Sequence, residues 1–109
     1  MKVYISGPMT GHHGLNGNAF EKAEREIIDA GQIAVNPHTI SDDVNAKCSE
    51  LGTVPTYEDY MHADLKALLD GCTTIYMLDG WRGSRGACME HEVAKICGLE
   101  IIYQKGACK

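Results

Sequence analysis

A chain of 109 residues, 44% hydrophobic and 23% charged, is one ordinary globular domain with room for a real core. Its net charge of −5, with no block of lysine or arginine, argues against binding a nucleic-acid polymer through the phosphate backbone. No apolar run approaches a membrane span, and the opening MKVYISGPMTG is too short in apolar residues for a signal peptide, so a single cytoplasmic domain over 1–109 that engages no membrane is expected.

Lys2–Ser6 (KVYIS) reads as a first strand, followed by the turn-rich loop Gly7-Pro8-Met9-Thr10-Gly11 and then His12-His13. Asn16 or Asn18 is placed to cap a helix whose apolar stripe is Phe20, Ala23, Ile27 and Ala30, with Gly31 ending it. Gln32–Asn36 reads as a second strand, stopped by Pro37. From His38 to Pro55 no period is clear, and the reading is a long loop with a short helical turn around Ser41–Leu51, acting as a lid or binding segment. Thr56 then caps a helix, with Asp59 in the capping-box position. Its buried face is Tyr57, Met61, Asp64 and Leu68, broadened by Leu65, and it closes near Gly71.

Thr73–Leu78 reads as a third strand, Asp79–Gly86 as a second glycine-rich loop, and the next residues as a helix. Ala87, Glu90, Ala94 and Cys97 share one face of that helix, extended by Val93, and Leu99–Tyr103 closes the chain as a last strand. Alternation of strands and helices calls for an α/β fold. The expected form is a Rossmann-like, flavodoxin-like open parallel sheet of about four to five strands with helices on both faces. Ligands then sit beyond the C-terminal strand ends, where both glycine-rich loops emerge.

Two carboxylates, Asp64 and Glu90, fall on otherwise apolar helix stripes. Burying a carboxylate is costly unless it is paired or hydrogen-bonded. The plainer account is a cap or a partly wetted stripe edge; the functional one is a pair of carboxyl groups in different environments, the equipment for cleaving a glycosidic bond. Tyr4 shares a strand face with Lys2 and Ser6 and could hold a carboxylate in place, or be simply a half-buried strand tyrosine. Ser84 offers a hydroxyl to a ligand, a helix cap, or both. Trp81 either stacks on a base or covers the sheet edge.

His91 lies between Glu90 and Glu92, but consecutive helix residues point apart, so no metal is assigned there. His12-His13 read as solvated loop histidines. The five cysteines (Cys48, Cys72, Cys88, Cys97, Cys108) include no C-x-x-C pair and are expected as reduced thiols, with Cys88 and Cys97 as small buried side chains. G-x-G-x-x-G and P-loop patterns are absent, which removes the usual support for NAD or ATP chemistry; no cofactor is expected.

Y-I-S-G-P-M-T-G at the start, Asp64-Leu65 ahead of the third strand, and Ser84-x-Gly86-x-x-x-Glu90-x-x-x-Ala94 together cover most of the chain. On these residues the chain resembles the nucleoside 2-deoxyribosyltransferase superfamily, which includes deoxynucleoside 5′-monophosphate N-glycosidases, and within it a small branch with these motifs. The resemblance implies that Glu90 is the nucleophile, that Asp64 serves the leaving base or the sugar, and that Tyr4 hydrogen-bonds the nucleophile. The implied substrate is a (deoxy)nucleoside or nucleotide, contacted by Gly7 and Met9 in the first loop and by Asp79, Trp81, Ser84 and Gly86 in the second. A homo-oligomer, dimer or higher, is the implied assembly. Pro8 and Thr10 stand where monophosphate-cleaving members carry a serine and an arginine, so nucleoside and 5′-monophosphate both stay open. The alternatives are a module that senses a nucleotide in the same pocket without cleaving it, and an interaction subunit of a larger assembly.

Overall fold

The computed structural model describes residues 1–9 and 16–105; Thr10, His12-His13 and Cys108 lie outside the described residues. Four strands, β1 (Lys2–Ser6), β2 (Ile33–Val35), β3 (Thr74–Met77) and β4 (Glu100–Tyr103), form one parallel sheet in the order β2-β1-β3-β4. Four helices connect them: α1 (Gly17–Asp29), α2 (Pro37–Leu51), α3 (Tyr57–Leu69) and α4 (Arg85–Ile96). The expected α/β open parallel sheet is the fold observed. Thr73 and Leu78 lie just outside β3 yet continue its ladder, donating to the carbonyls of Lys2 and Ser6.

Side-chain alternation along β1 divides the core into two layers. Val3 and Ile5 pack with Phe20, Ala23 and Ile27 of α1. Tyr4, Ile75 and Met77 pack on the other face with Leu68 of α3 and with Ala87 and Ala94 of α4. The right-handed rule for parallel crossovers accounts for this split. The chain steps from β1 to β2 in one direction across the sheet and from β2 to β3 to β4 in the other, so α1 falls on one face and α3 with α4 on the other. The switch point lies between β1 and β3, which pair from Val3↔Thr74 to Ser6↔Met77.

Several expectations are corrected. Residues 38–55 are not a loop with one turn: α2 is a helix of 15 residues. The Asn36 side chain caps it by accepting from the His38 N–H at 2.9 Å, Pro37 occupies its first turn, and Gly52 ends it at φ +70, a conformation glycine adopts without strain. Pro37 is its only fully buried residue, while Ile40, Val44 and Cys48, at steps of four and half-buried, form the apolar stripe that marks it as a helix. Asn16 stands at the cap of α1 but does not cap it; its Nδ2 donates instead to the Pro8 carbonyl at 2.9 Å. Asn18 lies inside α1 and is exposed, and Ala30, beyond the last turn, is exposed too. Cys97 is exposed, because α4 ends at Ile96, and Cys88 is half-buried rather than buried. The capping box at Thr56 and Asp59 is present in both directions.

Among the described residues no helix is long and apolar enough to cross a membrane. Nor do any three His, Cys, Asp or Glu side chains converge on a metal position there.

Candidate active site

The loops leaving β1 and β3 and the N-terminal ends of α3 and α4 meet at the C-terminal edge of the sheet around a cavity of about 790 Å³. Gly7, Pro8 and Met9 line it from the first loop, and Gly80, Gly83 and Ser84 from the second. Arg85, Gly86, Ala87 and Glu90 come from α4, Tyr57, Tyr60, Met61 and Asp64 from α3, and Pro37, Ser41 and Asn45 from one face of α2.

Close backbone approach shapes the mouth. A Cβ on Gly86 would lie 3.2 Å from Met61 Sδ and 3.3 Å from Tyr57 OH, so the missing side chain lets the first turn of α4 sit against α3. A Cβ on Gly7 would fall 2.7 Å from Leu78 Cβ, closer than atoms pack, so only glycine passes where the two loops cross. Ser84 caps α4, its Oγ accepting from the Ala87 N–H at 3.2 Å, and also lines the cavity. Tyr57, expected on the buried face of α3, is 48% exposed because it sits in the first turn, at the mouth. The Tyr60 hydroxyl donates to Asn45 Oδ1 at 2.5 Å and ties α3 to α2.

Glu90 and Asp64 are both buried on the cavity wall, at 5% and 8% exposure, but their surroundings differ. Glu90 Oε2 accepts from the Tyr4 hydroxyl at 2.5 Å, and its Oε1 accepts from the Ser6 hydroxyl at 2.7 Å. Asp64 Oδ1 is buried with no hydrogen-bond partner. Desolvation by burial pushes the Glu90 carboxyl up to about 7, against the downward pull of the Tyr4 and Ser6 hydroxyls. Desolvation also pushes Asp64 up to about 7, and the Glu90 charge adds to the rise. Hydroxyl donors favour the anion only at Glu90, and the Glu90 charge opposes ionisation of Asp64. Burial holds both carboxyls up to about 7, and the hydroxyl donors lean the charge toward Glu90. The Tyr4 phenol is held well above its ordinary value, first by burial and then by the two carboxylates, so it stays a donor.

The structure thus brings Tyr4, Asp64 and Glu90 together, with Gly7, Met9, Ser84 and Gly86 on the same cavity. Asp79 and Trp81 are not on its wall. Asp79 is exposed, its backbone N–H donating to Gln104 Oε1 at 2.8 Å. Trp81 is 5% exposed, its ring stacked on His91 at 4.3 Å between centroids and tilted toward Tyr103 at 6.1 Å. The indole covers the sheet edge, one of the two roles open to it.

Ser6 was not singled out by the sequence, although strand alternation puts it two residues beyond Tyr4 on the same face. Ser41 and Asn45 of the α2 wall fall in the segment read as a lid or binding segment, but its form as a full helix was missed. Its signal was the Asn36-Pro37 start and the spacing of four from Pro37 to Ser41 to Asn45.

Residues 1–103 match a family described as a domain of unknown function (DUF4406), and the chain belongs to that family. No curated protein and no solved structure matches the chain.

Proposed function

We propose that this protein breaks the N-glycosidic bond of a (deoxy)nucleoside or nucleotide, releasing the base to water or exchanging it for another, with Glu90 as the nucleophile. The observation that carries this reading is the inequality of two buried carboxyl groups on one cavity: Glu90 is held by a hydroxyl donor on each oxygen, while Asp64 Oδ1 has none among the described residues. Such separation is how one site supplies an anion and an acid at the same pH. The motif resemblance to deoxyribosyltransferases supports the same assignment of Tyr4, Asp64 and Glu90.

In the first half of the reaction a Glu90 oxygen forms a bond to C1′ as the C1′–N bond breaks through an oxocarbenium-like transition state. The bond's electron pair goes to the base nitrogen, and the Asp64 proton goes to the departing base. In the second half, water or another base attacks C1′. The C1′–O bond returns its pair to Glu90, and Asp64 takes up the proton that the incoming nucleophile loses. Tyr4 donates to the carboxylate throughout and stabilises it as it leaves. A homo-oligomer belongs to the same reading; gel filtration checks it.

The test is base release, followed by chromatography, from deoxynucleosides, ribonucleosides and their 5′-monophosphates, each with and without a second free base, beside Glu90→Ala. Release that requires Glu90 supports the proposal, and a new nucleoside formed from the added base identifies transfer. Ligand binding by thermal shift with no release from any substrate would make the cavity a sensor and overturn the catalytic reading.

A further inference from the structure

Ser6 is a buried serine whose hydroxyl has an unusual destination. Most side-chain hydrogen bonds of proteins go to the backbone or to water. Ser6 is wholly buried, and its carbonyl is taken by the Leu78 N–H at 2.8 Å. Its Oγ spans 84 positions of sequence to reach Glu90 Oε1 at 2.7 Å. Ser6 ends the inner strand β1 in register with Met77 of β3, so its Cβ direction is set by the sheet. Tyr4 and Ser6, successive inward positions of that strand, deliver one donor to each oxygen of the same carboxylate. A carboxylate held at one oxygen can still turn about its last side-chain bond; held at both, it cannot.

We infer that Ser6 is a positioning residue for Glu90: with Tyr4 it locks the carboxylate plane and makes Glu90, rather than Asp64, the carboxyl that carries the charge in this cavity. This deepens the proposed function and rests on it for its catalytic consequence, though not for its test. The groups facing Glu90 are Tyr4 and Ser6 from β1 and Asp64 from α3, with Arg85 at the cavity mouth more than a turn earlier on α4. β3 presents Ile75 and Met77 to that layer, neither charged, and Tyr103 of β4 is bonded to His91. Among these neighbours the distinction between the two carboxyls comes from the hydroxyl donors, since both carboxyls are buried.

Without the Ser6 hydroxyl, Oε1 is left with no donor, as Asp64 Oδ1 already is. The two carboxyls then approach equivalence, and the single proton is divided between them instead of resting on Asp64. Less of the protein holds the anion at Glu90 and the acid at Asp64 together.

The experiment is a carbon-13 NMR titration of glutamate-labelled protein, the Glu90 signal being assigned by its loss in Glu90→Gln. It is run on the wild type, Ser6→Ala and Ser6→Cys, the thiol being a weaker donor of similar shape. The expected Glu90 midpoint rises in the order wild type, Cys, Ala, the alanine variant by roughly one pH unit, the scale of one hydrogen bond to a charged group. If alanine does not fold, the cysteine variant alone decides by the same upward move. An unmoved Glu90 midpoint in the folded variants overturns the proposal. Where base release is also found, the acid limb of its pH profile moves upward with the NMR midpoint. If no variant or wild type releases base while the midpoint still moves, the role of Ser6 stands and the catalytic reading alone falls.

Discussion

The Tyr4 hydroxyl donates to Glu90 Oε2 across 2.5 Å, joining the first strand to the last helix over 86 positions of sequence. It does so at the switch point of the sheet, where β1 and β3 lie side by side. The fold supplies rigidity at this contact: Tyr4 is wholly buried on an inner strand, and Glu90 lies inside a helix packed on it. Asp64 approaches from α3 on the same cavity without a donor of its own. The two carboxyls of the cavity therefore differ in their hydrogen bonding, Glu90 with a hydroxyl donor on each oxygen and Asp64 Oδ1 with none.

Glu90→Gln tests the anion. The amide keeps the shape, its oxygen can accept from one hydroxyl, and its NH₂ can donate to the other, so the fold should persist. Base release should fall by on the order of 10³-fold or more, because the covalent step loses its nucleophile. Steady-state release beside a thermal melt checks both; undiminished release would remove Glu90 from the chemistry.

The pH profile of base release should be bell-shaped and centred near neutrality. Activity rises as Glu90 loses its proton and falls as Asp64 loses its own, both groups being held up to about 7. Asp64→Asn keeps the shape but supplies no proton. It should slow release by about 10²- to 10⁴-fold, the usual worth of a positioned acid, and abolish the alkaline limb. An alkaline limb that survives in Asp64→Asn would assign it to another group.

Glu90 and Asp64 were legible because each broke a local rule that needs no tertiary knowledge, whereas Tyr4, an ordinary strand residue, stood out only beside them. Two carboxylates sat at helical spacing inside apolar stripes, and a tyrosine sat on the inward register of a strand. The rest was hidden for physical reasons. The helix α2 half-buries a sparse stripe, Ile40, Val44 and Cys48, diluted among polar residues, and its ends carry the other signals, Asn36-Pro37 and Gly52. Ser6 shares the register of Tyr4, but a serine hydroxyl is too short to announce a partner, and its acceptor is fixed only when α4 packs on β1. Trp81 lies in a loop whose local pattern fits a ligand contact and a lid on the core equally; its stacking on His91 of α4 and its tilted contact with Tyr103 of β4, fixed only by the fold, decide it.

Stability should fall as the pH rises from about 4 to about 7. Asp64 and Glu90 have ordinary values of 3.8 and 4.5 and are held up to about 7 in the fold, so over that interval the folded state binds more protons than the unfolded. The slope of unfolding free energy against pH is then negative, by up to about 1.4 kcal/mol per pH unit for each group. Their contribution is fully present below the unfolded values and lost once the pH passes the folded ones. Urea unfolding from pH 4.5 to pH 8 should show this decline, and Asp64→Asn with Glu90→Gln should flatten it. An equal slope in the double variant would mean that neither carboxyl is raised.

Trp81→Phe separates a substrate contact from a structural cover. The indole is buried against His91 and Tyr103 and is not on the cavity wall, so its loss should be felt in packing. Phenylalanine keeps an aromatic face on His91 but leaves part of the indole volume unfilled. It should cost about 1 kcal/mol, read as a lowered urea midpoint. The KM for whichever nucleoside or nucleotide is cleaved should change by less than about twofold, because no atom of the indole is on the wall that meets substrate. A tenfold rise in KM with an unchanged urea midpoint would reverse the assignment, placing the indole against the base after all.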